Sequence, residues 1–443
     1  MAGDKIYALI DYEDTYVQPL LVQAFKAALP PEILVLINDL SEVPTPDCKV
    51  LQWRQYESID WDVLAEYPNT SLANSYMIRK ALIRKHYLTN TVSHWLSKHP
   101  DSSLKKHVKP SVDFEVDYAE FLDDALVEAY ELRDSWERNA AAEVIGKPLE
   151  WWILKPGMSE RGQGIRLFSS EQELTEIFEA WDPASDDEDE DDDEATSQPS
   201  SPSQVDSPNG KLNNESDNIM TSHLRHFIAQ PYIHPPLLLP PPHPTANLKF
   251  HIRTYVLATG ALKVYVYRSM LALFASTPYA LPTTSATNDL TAHLTNTCLQ
   301  PSPPPSTSVQ LFSSLPATMP NLPDTWKDDV LTQICTTTSQ VFEAAARTQS
   351  VHFQTLPNNF EIFGLDFLVD AEGVAWLLEV NAFPDFGQSG AGEGRELVEG
   401  LIEAVVIVGV VPFFGVKGRG GGKGRGKGKE TMVEVLDLDL GRR

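Results

Sequence analysis

Two strand-like runs joined by Asp370-Ala371-Glu372-Gly373 constrain this chain more than any other feature. Glu361 to Val369 reads EIFGLDFLV and Val374 to Ala382 reads VAWLLEVNA, and the four residues between them have the composition of a hairpin connection. Pairing Val369 with Val374 sets Phe367 against Trp376, Leu365 against Leu378 and Phe363 against Val380, giving one apolar face. Asp366, Glu379 and Asn381 then fall on the opposite face, with Gly364 beside them. A slip of one residue would bury the acids, so the apolar pattern specifies a register. Two carboxylates and an amide oxygen on a stiff hairpin are hard oxygen ligands that suit Mg²⁺, an ion that usually draws its other ligands from phosphates. An acidic, solvent-facing edge hairpin would carry the same residues.

The 443 residues are enough for two or three domains with cores, and 42% hydrophobic content is that of a soluble globular protein. The N-terminal stretch MAGDKIYALIDYEDTY has no basic leader and no signal-type apolar core. The longest apolar run, Ala404 to Gly415, is too short to span a bilayer and reads as a buried terminal helix ending near Pro412. No membrane association is therefore expected. Cys48, Cys298 and Cys335 lie far apart without metal spacing, which excludes a disulfide framework and a zinc site and suits a cytosolic or nuclear compartment. The net charge is −27, and the nine consecutive acids Asp186 to Glu194 supply a third of it. So acidic a body has no general attraction to nucleic acid or anionic membranes.

Three segments interrupt the pattern. Asp182 to Ile219 is acidic, then rich in Ser, Pro and Asn, and is expected to be disordered. Leu299 to Pro323 is rich in Pro and Ser and reads as an extended loop. Lys417 to Lys429 places six basic residues among seven glycines, a flexible tail with the option of touching RNA or an acidic partner. Without interleaved aromatics it makes a poor RNA platform. Pro235 to Pro244 is a shorter connector. Between the breaks, Lys5–Ile10 and Ile33–Ile37 read as strands around a helix at Val17–Leu29. Ser75–Trp95 is an amphipathic helix or helix pair, and Tyr118–Ala142 is another helix. Further strands are expected at Trp151–Leu154, Gly164–Phe168, Arg225–Gln230, Phe250–Thr259 and Leu262–Tyr267.

The chemistry lies on these strands. In WWILKPGMSERGQGIRLF (Trp151–Phe168) Lys155 ends a strand, Arg161 adds a second cation, and Gly157, Gly162 and Gly164 let backbone amides approach phosphate oxygens. The order GxxxxGK[ST] is absent, so this is no P-loop, and an ordinary hairpin would look alike. FIAQPYIHPPLLL (Phe227–Leu239) runs from an apolar strand into a connector, as an adenine-binding segment or a plain linker would. KFHIRTYVL (Lys249–Leu257) puts Lys249, His251 and Arg253 on one strand face, and three cations together call for an anion. Arg268 follows Tyr267 on the next strand, and His293-Leu294-Thr295-Asn296 groups compact polar side chains before the Pro-rich loop.

In this order, the glycine-hairpin lysine, linker, KFxxR, HLTN, GLDF and EVN resemble the tubulin–tyrosine ligase-like family of the ATP-grasp superfamily. The resemblance runs from about Asn74 to Phe414, and RKALIRKH (Arg79–His86) is similar to the family's basic helix. It implies an α/β (α+β) ATP-grasp fold with an N-terminal α/β domain at 1–74, a central domain at 75–236 and a C-terminal antiparallel-sheet domain at 245–416. The basic tail occupies 417–443. By resemblance Lys155 and Arg161 would hold ATP phosphates, Gln230, Tyr232 and Ile233 would surround adenine, and Asn296 would lie near the phosphates. Lys249 and Arg253 would meet nucleotide or acyl phosphate, with Arg268 a third catalytic cation. Asp366, Glu379 and Asn381 would hold Mg²⁺. The implied activity is ATP-dependent joining of a free amino acid to a protein or peptide carboxylate, tubulin being one such acceptor. The alternative is a nucleotide-binding interaction module, and fungal relatives of this type point to mRNA-decay partners and cytoplasmic processing bodies. The chain departs from the family at three positions. His251 stands where the family has an acid, Pro231 where it often has lysine, and Leu273 near a substrate-binding arginine.

Overall fold

The computed structural model describes residues 5–157, 162–181, 225–283, 290–295, 307–389, 392–416 and 430–441. The acidic segment, the glycine-rich basic run, Arg161 and Asn296 lie outside them. The first strands, β1 (Ile6–Asp11), β2 (Leu34–Ile37), β3 (Lys49–Arg54) and β4 (Ser71–Ala73), form a parallel sheet in the order β2-β1-β3-β4. β1 is buried along nearly all its length, as a parallel strand covered on both faces must be. The helix Val17–Ala28 turns Val17, Leu20, Leu21, Ala24 and Phe25 inward, a spacing that makes one helical stripe.

The second sheet is antiparallel. It contains β5 (Val112–Glu115), β6 (Trp152–Pro156), β7 (Arg166–Phe168) and β8 (His226–Pro231) in the order β5-β8-β6-β7. One face packs Phe114, Leu154, Phe227 and Ala229 against Phe178 and Trp181 of the helix Glu171–Trp181. Because side chains alternate along a strand, Lys155, Ile228 and Gln230 are left to the other face.

The third sheet holds β9 (Leu248–Thr259), β10 (Lys263–Tyr267), β11 (Leu271–Pro278), β12 (Val309–Leu311), β13 (Phe360–Val369), β14 (Ala375–Ala382) and β15 (Met432–Asp437). β9 pairs with β10, β11 and β13, so it is the strand on which the sheet is assembled. Phe250, Ile252 and Val256 face a core with Val330, Ile334, Val341 and Phe342 of the helix Trp326–Thr348.

Several expectations need correction. The hairpin pairs Val369 with Ala375 and Phe367 with Leu377, one residue away from the expected register. A bulge then shifts the ladder, so that Asp366 meets Glu379, Leu365 meets Val380 and Gly364 meets Asn381. The extra residue, Leu378, lets Ala375, Leu377 and Val380 all reach the core, while Glu379 and Asn381 stay on the face of Asp366. Alternation alone missed this because a bulge reverses the phase of a strand.

The last helix ends near Pro412, as expected, but begins well before Ala404. Glu393–Val405 continues through a π-turn at Val406–Val410 into Val411–Phe414, and Gly415 terminates it at φ 61°. Pro412 sits in the first turn after the π-segment, where a missing N–H is tolerated. The whole stretch, Glu393–Phe414, is 22 residues long and apolar enough to cross a membrane by length and composition. Its apolar side chains, among them Leu397, Leu401 and Val405, are buried in the core instead.

The expected tail at 417–443 contains β15, which pairs antiparallel with β10 and buries Met432. Part of the expected loop at 299–323 is also structural: β12 pairs with β11, and Phe312, Leu315 and Met319 are buried. The helix expected over Tyr118–Ala142 breaks into Leu122–Ala125 and Tyr130–Val144. Ser75–Trp95 resolves into Lys80–Ile83 and Lys85–Lys98. These two helices pack Ala81, Leu82, Leu88 and Val92 into the core of the third sheet, not the second. The N-terminal sheet shares one cluster with Tyr255, Leu257 and the last helix.

Deleting the chain from Glu430 onward should lower stability by about 3–6 kcal/mol, because the core surface that Met432, Leu436 and Leu438 cover would be exposed. Urea unfolding of the truncated and full chains checks this, since a free tail would leave the midpoint unchanged.

Candidate active site

The site begins with a row of residues across three strands. Arg253 on β9 is paired with Asp366 on β13, and Asp366 is paired with Glu379 on β14. Arg253 donates to both carboxylate oxygens of Asp366, from Nε at 2.5 Å and from the terminal nitrogen at 3.1 Å. This two-pronged geometry fixes the carboxylate plane. One step along, Gly364 is paired with Tyr255 and Asn381. A Cβ on Gly364 would come within 3.1 Å of Pro384 Cβ and 3.3 Å of Arg253 Cδ, a tight fit in which the arginine passes close over the strand to its partner. Asn381 Nδ2 donates to Glu379 at 3.1 Å and lies 3.4 Å from Asp366.

The second sheet supplies the facing wall. Lys155 on β6 donates to Gln230 Oε1 on β8 at 2.8 Å, and both side chains are buried. The chain then leaves β8 through Tyr232, whose amide donates to the Trp151 carbonyl at 2.8 Å, and Ile233, which is buried. Lys249 reaches the same segment, donating to the Tyr232 hydroxyl at 3.1 Å with its ammonium 4.2 Å from the ring centre. The Tyr232 hydroxyl also meets His293 Nδ1 at 2.9 Å. His251 contacts Thr295 through Nδ1 and lies 3.5 Å from Asp366 through Nε2. Leu273 is paired with His251 and lines the cleft.

Burial and charge act together here. Desolvation lowers the Lys249 pKa to about 7, with Lys155 adding to the fall, and desolvation lowers Lys155 to about 8. Burial likewise lowers His251, which favours the neutral imidazole. Glu379 behaves oppositely. Desolvation raises its pKa, but Lys85 and Lys155 outweigh that and hold it at about 2. Lys85 Nζ lies 3.8 Å from the Glu379 carboxylate. Depressed lysines in a dry cleft regain their charge when an anion arrives, because the anion supplies the compensation that water no longer gives.

Lys155, Gln230, Tyr232, Ile233, Lys249, Arg253, Asp366, Glu379 and Asn381 all line one cleft of about 670 Å³. Arg268 does not. It is exposed, and its Nε donates to the Glu430 carbonyl while its amide donates to the Thr431 carbonyl, so the two residues before β15 engage it. Arg161 and Asn296 lie outside the described residues. Sequence reasoning missed a further wall built by Tyr12, Tyr56, Arg79, Arg84 and Phe383. Arg79 bridges to buried Glu361 at 2.8 Å and lies 4.0 Å over the Tyr56 ring. Phe383, at φ 47°, turns its ring against Tyr12. The available signal was the cluster of basic residues in RKALIRKH.

Among the described residues no three His, Cys, Asp or Glu side chains group as a metal centre. The oxygen donors of Asp366, Glu379 and Asn381 are of the kind that Mg²⁺ takes alongside phosphate and water.

A nucleotide-sized cleft between two antiparallel sheets, with Lys155 on one wall and Lys249 beside the Asp366–Glu379 row on the other, is the arrangement of an ATP-grasp protein. The chain belongs to the tubulin-tyrosine ligase family, whose model matches residues 67–417. It is 44% identical over 410 residues to a Schizosaccharomyces pombe protein named "Probable tubulin--tyrosine ligase", covering 93% of this chain and 92% of that one. It is 41% identical over 411 residues to Saccharomyces cerevisiae PBY1, which carries the same designation. That match covers 90% of this chain and spans about half, 51%, of the yeast protein. The fold aligns with the crystal structure of the C-terminal domain of K. lactis Pby1 at a TM-score of 0.67 and 33% identity, over 98% of this chain and 99% of that one. That domain is described as an ATP-grasp enzyme interacting with the mRNA decapping enzyme Dcp2.

Titrating ATP with Mg²⁺ into the protein by calorimetry should give metal-dependent binding, and the Asp366→Ala/Glu379→Ala double variant should lose at least about tenfold in affinity. Equal affinity in the double variant would make the acids structural.

Proposed function

We propose that the chain is an ATP- and Mg²⁺-dependent carboxylate–amine ligase that joins an amino acid to a carboxylate of a protein or peptide. The observation that carries this reading is the meeting, in one cleft, of the Arg253–Asp366–Glu379 row with the buried ammonium groups of Lys155 and Lys249. A carboxylate is a poor acylating agent until its oxygen takes a phosphoryl group, after which an amine displaces phosphate and an amide bond forms. The residues needed are those that neutralise a transferring phosphoryl group and hold it in line. Lys155 and Lys249 would hold the phosphates, while Gln230, Tyr232 and Ile233 would wall the base. Arg253 orients Asp366, and Lys85 keeps Glu379 ionised. Mg²⁺ bound by Asp366, Glu379 and Asn381 would neutralise phosphate charge. With Leu273 apolar, Arg79 and Arg84 are the guanidinium groups on the remaining wall able to hold a substrate carboxylate.

A second reading is supported by Leu273 itself and by the interaction described for K. lactis Pby1. In it the chain binds nucleotide with little turnover and serves as a cytoplasmic partner of the mRNA decapping machinery. The two readings separate in one assay. ATP hydrolysis is followed with each amino acid and with candidate acceptor peptides, including an acidic tubulin-tail peptide, for wild type and Glu379→Gln. The ligase reading expects amino-acid-dependent hydrolysis that falls on the order of 10²-fold or more in Glu379→Gln. Nucleotide binding without any amino-acid dependence would leave the interaction module.

A further inference from the structure

A second chamber of about 550 Å³ adjoins the nucleotide cleft and has no part in the reaction above. Lys85, Lys155, Gln230 and Leu378 line both, so they form the partition between them. The chamber is bounded by the helix Lys85–Lys98, the segment Lys105–Ser111, β8 and β14. Its body is apolar: Leu88, Val92 and Leu96 from the helix meet Val108, Ile228 and Leu377. The polar positions are unequal in sign. Lys105 and Lys109 stand against one acid of the lining, Glu131, while Lys85 and Lys155 at the partition are already opposed by Glu379. Lys105 is exposed and makes no ion pair among the described residues. Lys109 stands 3.6 Å from the centre of the Trp376 ring, with the Asp370 charge nearby. The volume is within the range of small-molecule sites, about 300–1,000 Å³, which are mostly apolar with a few placed charges.

We propose that this chamber binds a small amphipathic carboxylate, an apolar chain or ring system bearing one anionic group. The apolar body lies along Leu88, Val92, Leu96 and Ile228, and the anion is held by the lysines at the rim. The bulk of this protein is acidic, so a rim that carries Lys105 and Lys109 against the single acid Glu131 is a local inversion of sign that favours an anion over a cation. Because the partition carries Lys155 and Lys85, an anion in the chamber competes electrostatically for the lysines that face the phosphates. The two ligands should therefore oppose each other by a finite factor, the same in both directions.

The test uses the full chain and decanoate as the probe, below its micelle concentration, with decanol and decylammonium as comparison probes in calorimetry. Decanoate should bind, and the neutral and cationic probes should bind at least about tenfold more weakly. Ser93→Trp places an indole in the chamber from an exposed position on the helix, outside the nucleotide cleft, and should reduce decanoate affinity at least about tenfold. Ser97→Trp, one turn along, is the second variant should the first fail to fold. Lys105→Glu should weaken decanoate and spare decanol. Saturating Mg²⁺–ATP should weaken decanoate several-fold without abolishing its binding. No decanoate binding, equal binding of decanol, or indifference to a folded tryptophan variant would overturn the proposal. Complete displacement by ATP would also overturn it, since the chamber would then be part of the nucleotide site. These readouts are of binding alone and stand whether or not the protein turns over as a ligase.

Discussion

The antiparallel pairing of β9 with β13 in a single register sets Arg253 opposite Asp366, and most of the cleft depends on that pairing. The register puts Phe250, Ile252 and Val256 in the core, which leaves Lys249, His251 and Arg253 no direction except toward the second sheet. It also sets Gly364 under the arginine, where a side chain would crowd Pro384 and the arginine stem. β13 passes the constraint on to β14, and the bulge at Leu378 is what lets the two strands share a core and an acidic face together. A slip at any point would trade an acid for a core residue, so packing energy enforces the chemistry of the site.

Charge in the cleft is balanced between buried groups. Glu379 stays ionised because Lys85 and Lys155 oppose the cost of its burial, and Lys155 and Lys249 lose proton affinity because their own burial is only partly compensated. Such a site is prepared for an additional anion. The same argument extends through the partition, where Lys85 and Lys155 look into both cavities and so couple any charge placed in one to the other.

The N-terminal sheet is part of this machinery. It shares a core with Tyr255, Leu257 and the last helix, and the Arg79–Glu361 bridge ties its end to β13. Burial pushes the Glu361 carboxyl up to about 7, with Arg79 pulling against it, so the arginine holds a costly buried acid while one edge of its guanidinium borders the cleft. The wall that would meet a substrate is thus fixed to the strand that carries Asp366.

Much of the site was legible in short motifs. The sequence by itself determined the two acids and the amide of the EVN hairpin, the cation face of KFHIR and the lysine of the glycine hairpin, because each depends only on alternation within one strand. It determined the family through their order. Tertiary structure alone decided the bulge at Leu378, which no alternation rule contains, and the capture of Arg268 by Glu430 and Thr431, which are 162 and 163 positions away along the chain. It decided too that the helix Lys85–Lys98 packs on the third sheet, making Lys85 a partner of Glu379 and opening a chamber behind it. The difference is physical. Periodicity reports which face of an element is apolar, but the element that covers that face is chosen by packing over the whole chain.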